Sequence, residues 1–434
     1  MRHYSIVFLV ALSVMLSSMT FASAALSTLS LSSVSLSTVS LSQKGGEVDL
    51  PTALMSMLQR HPALMGKQAQ IESKDSLLKS AKAEKLPSLD VSYGEDRDGN
   101  QEGAFIVKQP LWAFGRIDTG IDYADIDLSA ETIDKLRLTR ELLEDTAIAY
   151  ANVVGVQDQL LIIEDNIAQH QAFLEQIQRR QEGRLASQTD TQLAASRLTQ
   201  AKVQQIQMQG DLRDALMSLQ TLAQLPMTSV SPIFPAMYDG LPDDDTIEQQ
   251  VLKQSAEVQY KEQLVSLAIQ DVYQKRASFM PTLYLKFSHE YSDNATYPDD
   301  SRLSLVMEGG LEGLGMITRY QEQSAHSQLR AAQRDVEVTQ FELTNRLNSL
   351  LLNRKIQQSL IDIHQSSIEQ LSSTLASYQR QYKSGRKEWL DVLNIQREIT
   401  EQKIAQAKAE NSLLVNLLSL AALTGGLDIE STRR

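Results

Sequence analysis

The sequence predicts a mainly α chain with a smaller β part, built as two copies of one unit, whose four strands close only with strands from neighbouring chains. Three observations carry this. The ten prolines leave two long gaps, 111–225 and 299–434; proline costs about 3 kcal/mol inside a helix, so such gaps permit very long helices. Within the gaps residues step by three and four: Leu160, Ile163, Ile167, His170, Leu174 and Ile177, then Ile361, His364, Ile368, Leu371, Leu375, Tyr378 and Tyr382. That is the 3.5-residue repeat of a coiled coil. The second series follows the first at an offset of 201, which also carries Asp190 to Asp391, Leu212 to Leu413 and Leu222 to Leu423. A repeat of this size constrains topology more firmly than local propensity does.

The elements follow in order. Met1-Arg2-His3, the apolar run Ile6 to Leu16 and Ala22-Ser23-Ala24 read as a signal peptide over 1–24, cut before Ala25. The run is shorter than the ~20 residues of a spanning helix. Residues 25–49 are a linker that includes the Ser/Thr and Leu/Val alternation 26–42. The first copy occupies 50–225, a proline-rich segment 226–244, the second copy 245–424 and a tail 425–434. Each copy opens with one helix, 50–85 or 245–279. Period-two strands follow at 88–93 and 282–288, then acidic loops, then second strands at 102–112 and 302–312. Helices of about 67 residues come next, 116–182 and 316–382, reaching about 100 Å at 1.5 Å per residue. Gly183 and Gly385 mark tight turns into helices about half as long. Gly183 falls one place early on the 201 register, so the two turns are expected to differ. An opening and a closing helix together match one long helix, which lets them stack end to end along it. His170 and His364 are expected to be satisfied interface histidines.

Composition narrows the function. A net charge of −13 argues against a nucleic-acid partner. The absence of Cys removes disulfides, thiolate metal sites, Cys nucleophiles and Cys-linked lipid anchors. The six His are scattered, and no nucleophile–base set, phosphate loop or metal cluster is visible; neither an enzyme, a cofactor nor a metal is expected. Two hairpins cannot satisfy their own edges in lipid, and four strands fall short of the eight of the smallest single-chain barrels. Three chains supply twelve. Tyr93, Trp112, Tyr284 and Tyr291 near strand ends fit aromatic belts at a lipid interface.

The residues resemble a family. Arg60-His61-Pro62-Ala63-Leu64, Lys85-Leu86-Pro87, Gln109-Pro110-Leu111-Trp112 with Gly115, and the stretch Gly385-Arg386-Lys387-Glu388-Trp389-Leu390-Asp391-Val392-Leu393 occur in the order of the TolC family of outer-membrane secretion and efflux ducts. The resemblance spans about 50–425. It implies a homotrimer: a twelve-stranded barrel in outer-membrane lipid, continued by a long α-helical coiled-coil barrel through the periplasm. It also implies helical tips, here Gly183, Arg184, Leu185, Gly385 and Arg386, that dock a periplasmic adaptor linked to an energised inner-membrane transporter. Family tips narrow to a gate ringed by carboxylates. Asp391 matches one ring position and Asn394 stands where a second acid is usual. Tyr382 and Lys387 match residues that link the two hairpins of a chain, Lys387 in place of Arg, with Asp190 as the matching acceptor. A lysine cannot make a bidentate guanidinium contact. The family proline is missing from Met307-Glu308-Gly309-Gly310-Leu311. The 385–394 stretch is similar to members paired with ABC-driven type I secretion of large adhesins; drug efflux with a proton-driven pump is the alternative. A periplasmic coiled-coil scaffold explains the seams but not the duplicated hairpins.

Overall fold

The structure, a computed structural model of the chain, describes residues 46–95, 101–233, 246–292, 300–310 and 312–430. The signal peptide, most of the 25–49 linker, the centres of both acidic loops, 234–244 and the last four residues lie outside these. The unit Glu47–Arg434 is a helical layer that carries a four-stranded sheet and a two-stranded one.

The opening helix of the first copy is two helices, α1 (Leu50–Arg60) and α2 (Pro62–Ala83), not one. His61 sits at φ −67°, ψ 122°, the extended conformation forced on a residue before proline. Its ring accepts from the Ala63 N–H at 3.3 Å, capping α2. The second copy breaks at the matching place without a proline, between α5 (Thr246–Gln254) and α6 (Ala256–Ala277). There the Ser255 hydroxyl caps the Val258 N–H at 3.3 Å.

The long helices are α3 (Arg116–Glu182, 67 residues) and α7 (Met316–Lys383, 68 residues). Each follows a glycine at positive φ, Gly115 at 88° and Gly315 at 82°, where a side chain is disfavoured. The closing helices are α4 (Gln188–Ala223) and α8 (Trp389–Leu423). Contacts place α2 and α4 along one side of α3, and α6 and α8 between α3 and α7. The stacked pairs therefore lie along the long helices, as their lengths require. Part of α3 is apolar enough to cross a bilayer by composition, and 56% of that window is buried in the fold, the environment of a core helix.

The buried stripe of α3 is Ile163, Asn166, His170, Phe173 and Ile177, so Leu160, Ile167 and Leu174 of the sequence seam are its half-buried flank. Around mid-length, Leu54, Met57, Tyr150, Val153, Leu219 and Leu418 form the main core, each buried apolar side chain contributing about 1.5–3 kcal/mol. Strands β1 (Glu47–Val48) and β4 (Ser229–Val230) pair in parallel over it. The Tyr150 hydroxyl lies 2.9 Å from the Val48 carbonyl oxygen and 2.8 Å from that of Ser231. Thus part of the 226–244 segment is fixed to the core. The tail carries a short helix, α9 (Gly426–Glu430), whose Asp428 accepts from Arg140 at 2.9 Å.

Candidate functional site

Two places can act: the sheet at one end of the layer and the helical turns at the other. The sheet consists of β2 (Ser88–Glu95), β3 (Gln101–Trp112), β5 (Thr282–Ser292) and β6 (Asp300–Glu308), antiparallel in the order β2-β3-β5-β6. β6 ends at Glu308, short of the 312 read from the sequence; Gly309 follows, where a Cβ would come within 2.9 Å of Pro281.

The register sorts side chains by face. Leu89, Val107, Phe287 and Leu303 align across the four strands, as do Val91 and Phe105, and Leu285 and Leu305. This face is apolar and largely exposed. The opposite face carries Asp90, Lys108, Lys286, Glu290, Asp300, Arg302 and Glu308. Tyr93 and Tyr291 flank Gly103 on the apolar face at the hairpin end. A bulge between Pro110 and Trp112 sets Trp112 opposite Leu283, which brings the indole to that face at the helix end. Tyr284 is a correction: it pairs with Pro110 and Val306 on the polar face, and Lys108 lies over its ring at 5.9 Å.

The two turns at the far end share one conformation, contrary to expectation. Arg184 adopts φ +59° where Gly385 has +76°, and these are equivalent on the 201 register. Leu185 N–H donates to Arg180 O and Arg386 N–H to Gln381 O, while Arg184 and Gly385 donate to Gln181 and Tyr382. Both are Schellman turns. A left-handed arginine costs about 1–2 kcal/mol, and the repeat imposes it nonetheless. Gly183, Arg184, Leu185, Gly385 and Arg386 are all exposed.

Above the turns the two hairpins share an apolar cluster of Phe173, Ile177, Ala194, Tyr382, Trp389, Val392 and Leu393. Trp389 is buried, 5.4 Å from the Phe173 ring and 5.0 Å from Tyr382. Arg180 of α3 lies over Tyr382 at 4.9 Å, tying the hairpins together. Lys387 does not reach Asp190; it meets Asp391 at 3.4 Å and stacks on Tyr378 at 4.4 Å. Asp190 is occupied instead by a capping box with Ser187. Asp391, its counterpart in the repeat, caps nothing and is half-exposed, as is Asn394. The sequence reading missed Arg180 and left Trp389 without a role, although it is one of only two tryptophans in the chain.

The profile of the family described as outer membrane efflux protein matches residues 53–223 and 247–426. The chain belongs to this family. The match falls in two blocks, one per copy. A relative, the pyoverdine export outer membrane protein OpmQ of Pseudomonas putida, is 24% identical over 370 residues, covering 80% of this chain and 75% of that protein. Among solved structures, CusC superposes with a TM-score of 0.78 at 17% identity, covering 88% of this chain and 95% of CusC. VceC of Vibrio cholerae gives 0.72 at 14%, covering 86% and 96%. The MtrE channel of Neisseria gonorrhoeae in its open state gives 0.73 at 17%, covering 88% and 91%.

In this outer membrane efflux protein burial shifts one tip group and an ion pair the other. Burial pushes the Tyr382 phenol up, Arg180 opposing and Asp190 adding to the rise. A hydrogen bond to Asp391 raises the Lys387 ammonium. His364 is bonded to Gln402 at 2.7 Å, but His170, buried on α3, has no partner for Nδ1, so it is not the satisfied histidine expected. Burial pushes its imidazole down, and the Arg197 guanidinium adds to this. The unfolded chain then binds the proton more readily, so stability is full above about pH 6.5 and declines as pH drops below it. Protection factors of the amides near His170, taken relative to intrinsic exchange at each pH, are expected to fall between pH 7.5 and 5.5, and His170→Gln to flatten that dependence; an equal fall in the variant would acquit His170.

Proposed function

We propose that three copies of this chain form an outer-membrane export duct, their sheets closing into a twelve-stranded barrel and their helical layers into a tube through the periplasm. The sheet carries the reading: four strands, bare at both edges among the described residues, with one largely apolar face and one charged face. In lipid a bare edge must find a partner, and the alternation of faces is that of a barrel wall. The layer is open in the same way. Phe341, Leu352 and Ile363 on α7, and Met65, Val203 and Ile206 on α2 and α4, are exposed on the helices that border it. A head-to-tail contact between unlike borders closes a ring.

In this reading an adaptor docks at the turns, Asp391 lines the constriction, and the duct itself performs no chemistry, energy coming from an inner-membrane transporter. The name of the relative OpmQ supports small-molecule export. The 385–394 stretch supports ABC-driven secretion of a large surface protein as a second reading. Deleting the gene tests both: accumulation of dyes and antibiotics in the cell favours efflux, and loss of one large surface protein favours secretion. Solubilised protein is expected to sediment as a trimer; a lone monomer taken from outer membranes would defeat the duct.

A further inference from the structure

On the charged face of the sheet, directly facing positions on neighbouring strands hold like charges at two levels. Lys108 and Lys286 stand directly opposite each other on the two central strands. Four residues farther toward the hairpin loops Glu290 stands directly opposite Asp300, with Glu102 just beyond in register. Like charges in facing positions weaken a sheet by roughly 0.2–1 kcal/mol per pair. Exchanging Lys286 and Glu290 would turn both repulsive pairs into attractive ones, so sheet stability does not explain the pattern. Each belt is only partly neutralised: Glu308 takes Lys108 at 2.9 Å and Arg302 takes Asp300 at 3.0 Å. Among the described residues Lys286 and Glu290 have no ionic partner.

At mid-strand in β5 and β6 the charged face is the more covered one. Lys286, Ser288, Ser304 and Val306 are half-buried, whereas Leu285, Phe287, Leu303 and Leu305 on the other face are exposed. We infer that the barrel lumen is electrically bipolar, with a basic collar of Lys108 and Lys286 on the helix side and an acidic mouth of Glu102, Glu290 and Asp300 on the loop side, and that this selects for anionic solutes leaving the duct. The inference rests on the duct reading, which supplies the barrel and makes the loop end the outer one. An anion arriving from the helices passes Glu308, which Lys108 holds, and then meets the unpaired Lys286, whereas one arriving from outside meets carboxylates first. Four residues of strand separate the belts by about 13 Å. The Debye length is ~10 Å at 0.1 M and ~3 Å at 1 M, so the belts act as distinct charges at moderate salt and vanish at high salt.

A pore with opposite charges in series passes current unequally in the two directions. In planar bilayers the purified channel at about 0.1 M KCl is expected to rectify by roughly two-fold and to become ohmic near 1 M. The exchange Lys286→Glu/Glu290→Lys keeps net charge, removes the facing repulsions, puts both signs into each belt and should abolish the rectification. The single change Lys286→Glu cancels the collar but keeps the acidic mouth, so it should weaken the rectification and make the channel more cation-selective. Because the helical tips are untouched, the difference between variants isolates the barrel. Rectification of the same sign and size in all three proteins would overturn the inference. Failure of the wild-type protein to form a trimer or conduct at all would overturn the duct reading beneath it.

Discussion

Trp389→Ala is expected to cost about 3–5 kcal/mol, the usual loss for a buried large aromatic, and to spend it at the turns. Trp389 is 2% exposed and sits in the first turn of α8, against Phe173 of α3 and Tyr382 of α7. Those residues come from both hairpins, so removing the indole opens the contact between them. The mid-length core around Tyr150 is a separate cluster and should hold. Hydrogen exchange is the measurement: amides flanking the turns should lose protection, while those around 142–154 keep it.

Trp389→Phe separates packing from polarity. The indole N–H is buried without a partner, a cost of about 1–3 kcal/mol, so phenylalanine gives up ring area but also relieves an orphaned donor. Its net effect is expected to stay within about 1 kcal/mol. If phenylalanine proves as damaging as alanine, the indole nitrogen has a partner in the assembled protein and the packing argument is incomplete. If both variants leave exchange near the turns unchanged, Trp389 does not couple the hairpins.

The parts of this fold readable from sequence are those where one physical signal acts alone. Proline-free gaps allowed helices as long as α3 and α7, and the glycines at 115, 183, 315 and 385 marked their ends to within a residue or so, because few other residues punctuate so long a helix. Period-two alternation likewise located the strands. The misses occur where two signals compete. Helix α3 is packed on both sides, so its apolar residues report two overlapping seams, and reading one stripe put Ile167 and Leu174 where Asn166 and Phe173 are buried. The one-residue bulge after Pro110 reverses the parity of β3, which is why Trp112 joins the apolar face; Tyr284 lies between Leu283 and Leu285 on an unbroken strand and so faces the other way. Arg184 in a left-handed turn opposes local propensity and obeys the duplicated tertiary frame. The break at Ser255 depends on a single capping hydroxyl that composition does not distinguish from other serines. At the tips, matching residue by residue placed Tyr382 in the contact between hairpins, but the cation there is Arg180 from the other copy, while Lys387 has turned to Asp391.

Gly155→Leu should sharply destabilise the contact between α3 and α8. Gly155 lies inside α3, where glycine costs about 1 kcal/mol relative to alanine, so on propensity alone any side chain would stabilise the helix. The neighbour decides otherwise. A Cβ built on Gly155 would collide with the Asn411 side chain of α8, lying 2.7 Å from its Cβ and Oδ1 and closer still to its Cγ. The equivalent position in the second copy is Ile356, which is exposed, so this close approach belongs to the α3–α8 contact alone. Overpacking costs typically 1–3 kcal/mol, which for alanine exceeds the propensity gain and for leucine does so by more, since its branched end has no space. Gly155→Ala is therefore expected to lower stability by about 1–2 kcal/mol. Asn411→Ala should not rescue it, because the Cβ of residue 411 is itself one of the colliding atoms. Asn411→Gly should rescue it by moving the gap to the facing helix, a coupling that a double-mutant cycle reads directly. Denaturation midpoints of the four proteins settle the matter: additive effects would mean that α3 and α8 do not meet at this glycine.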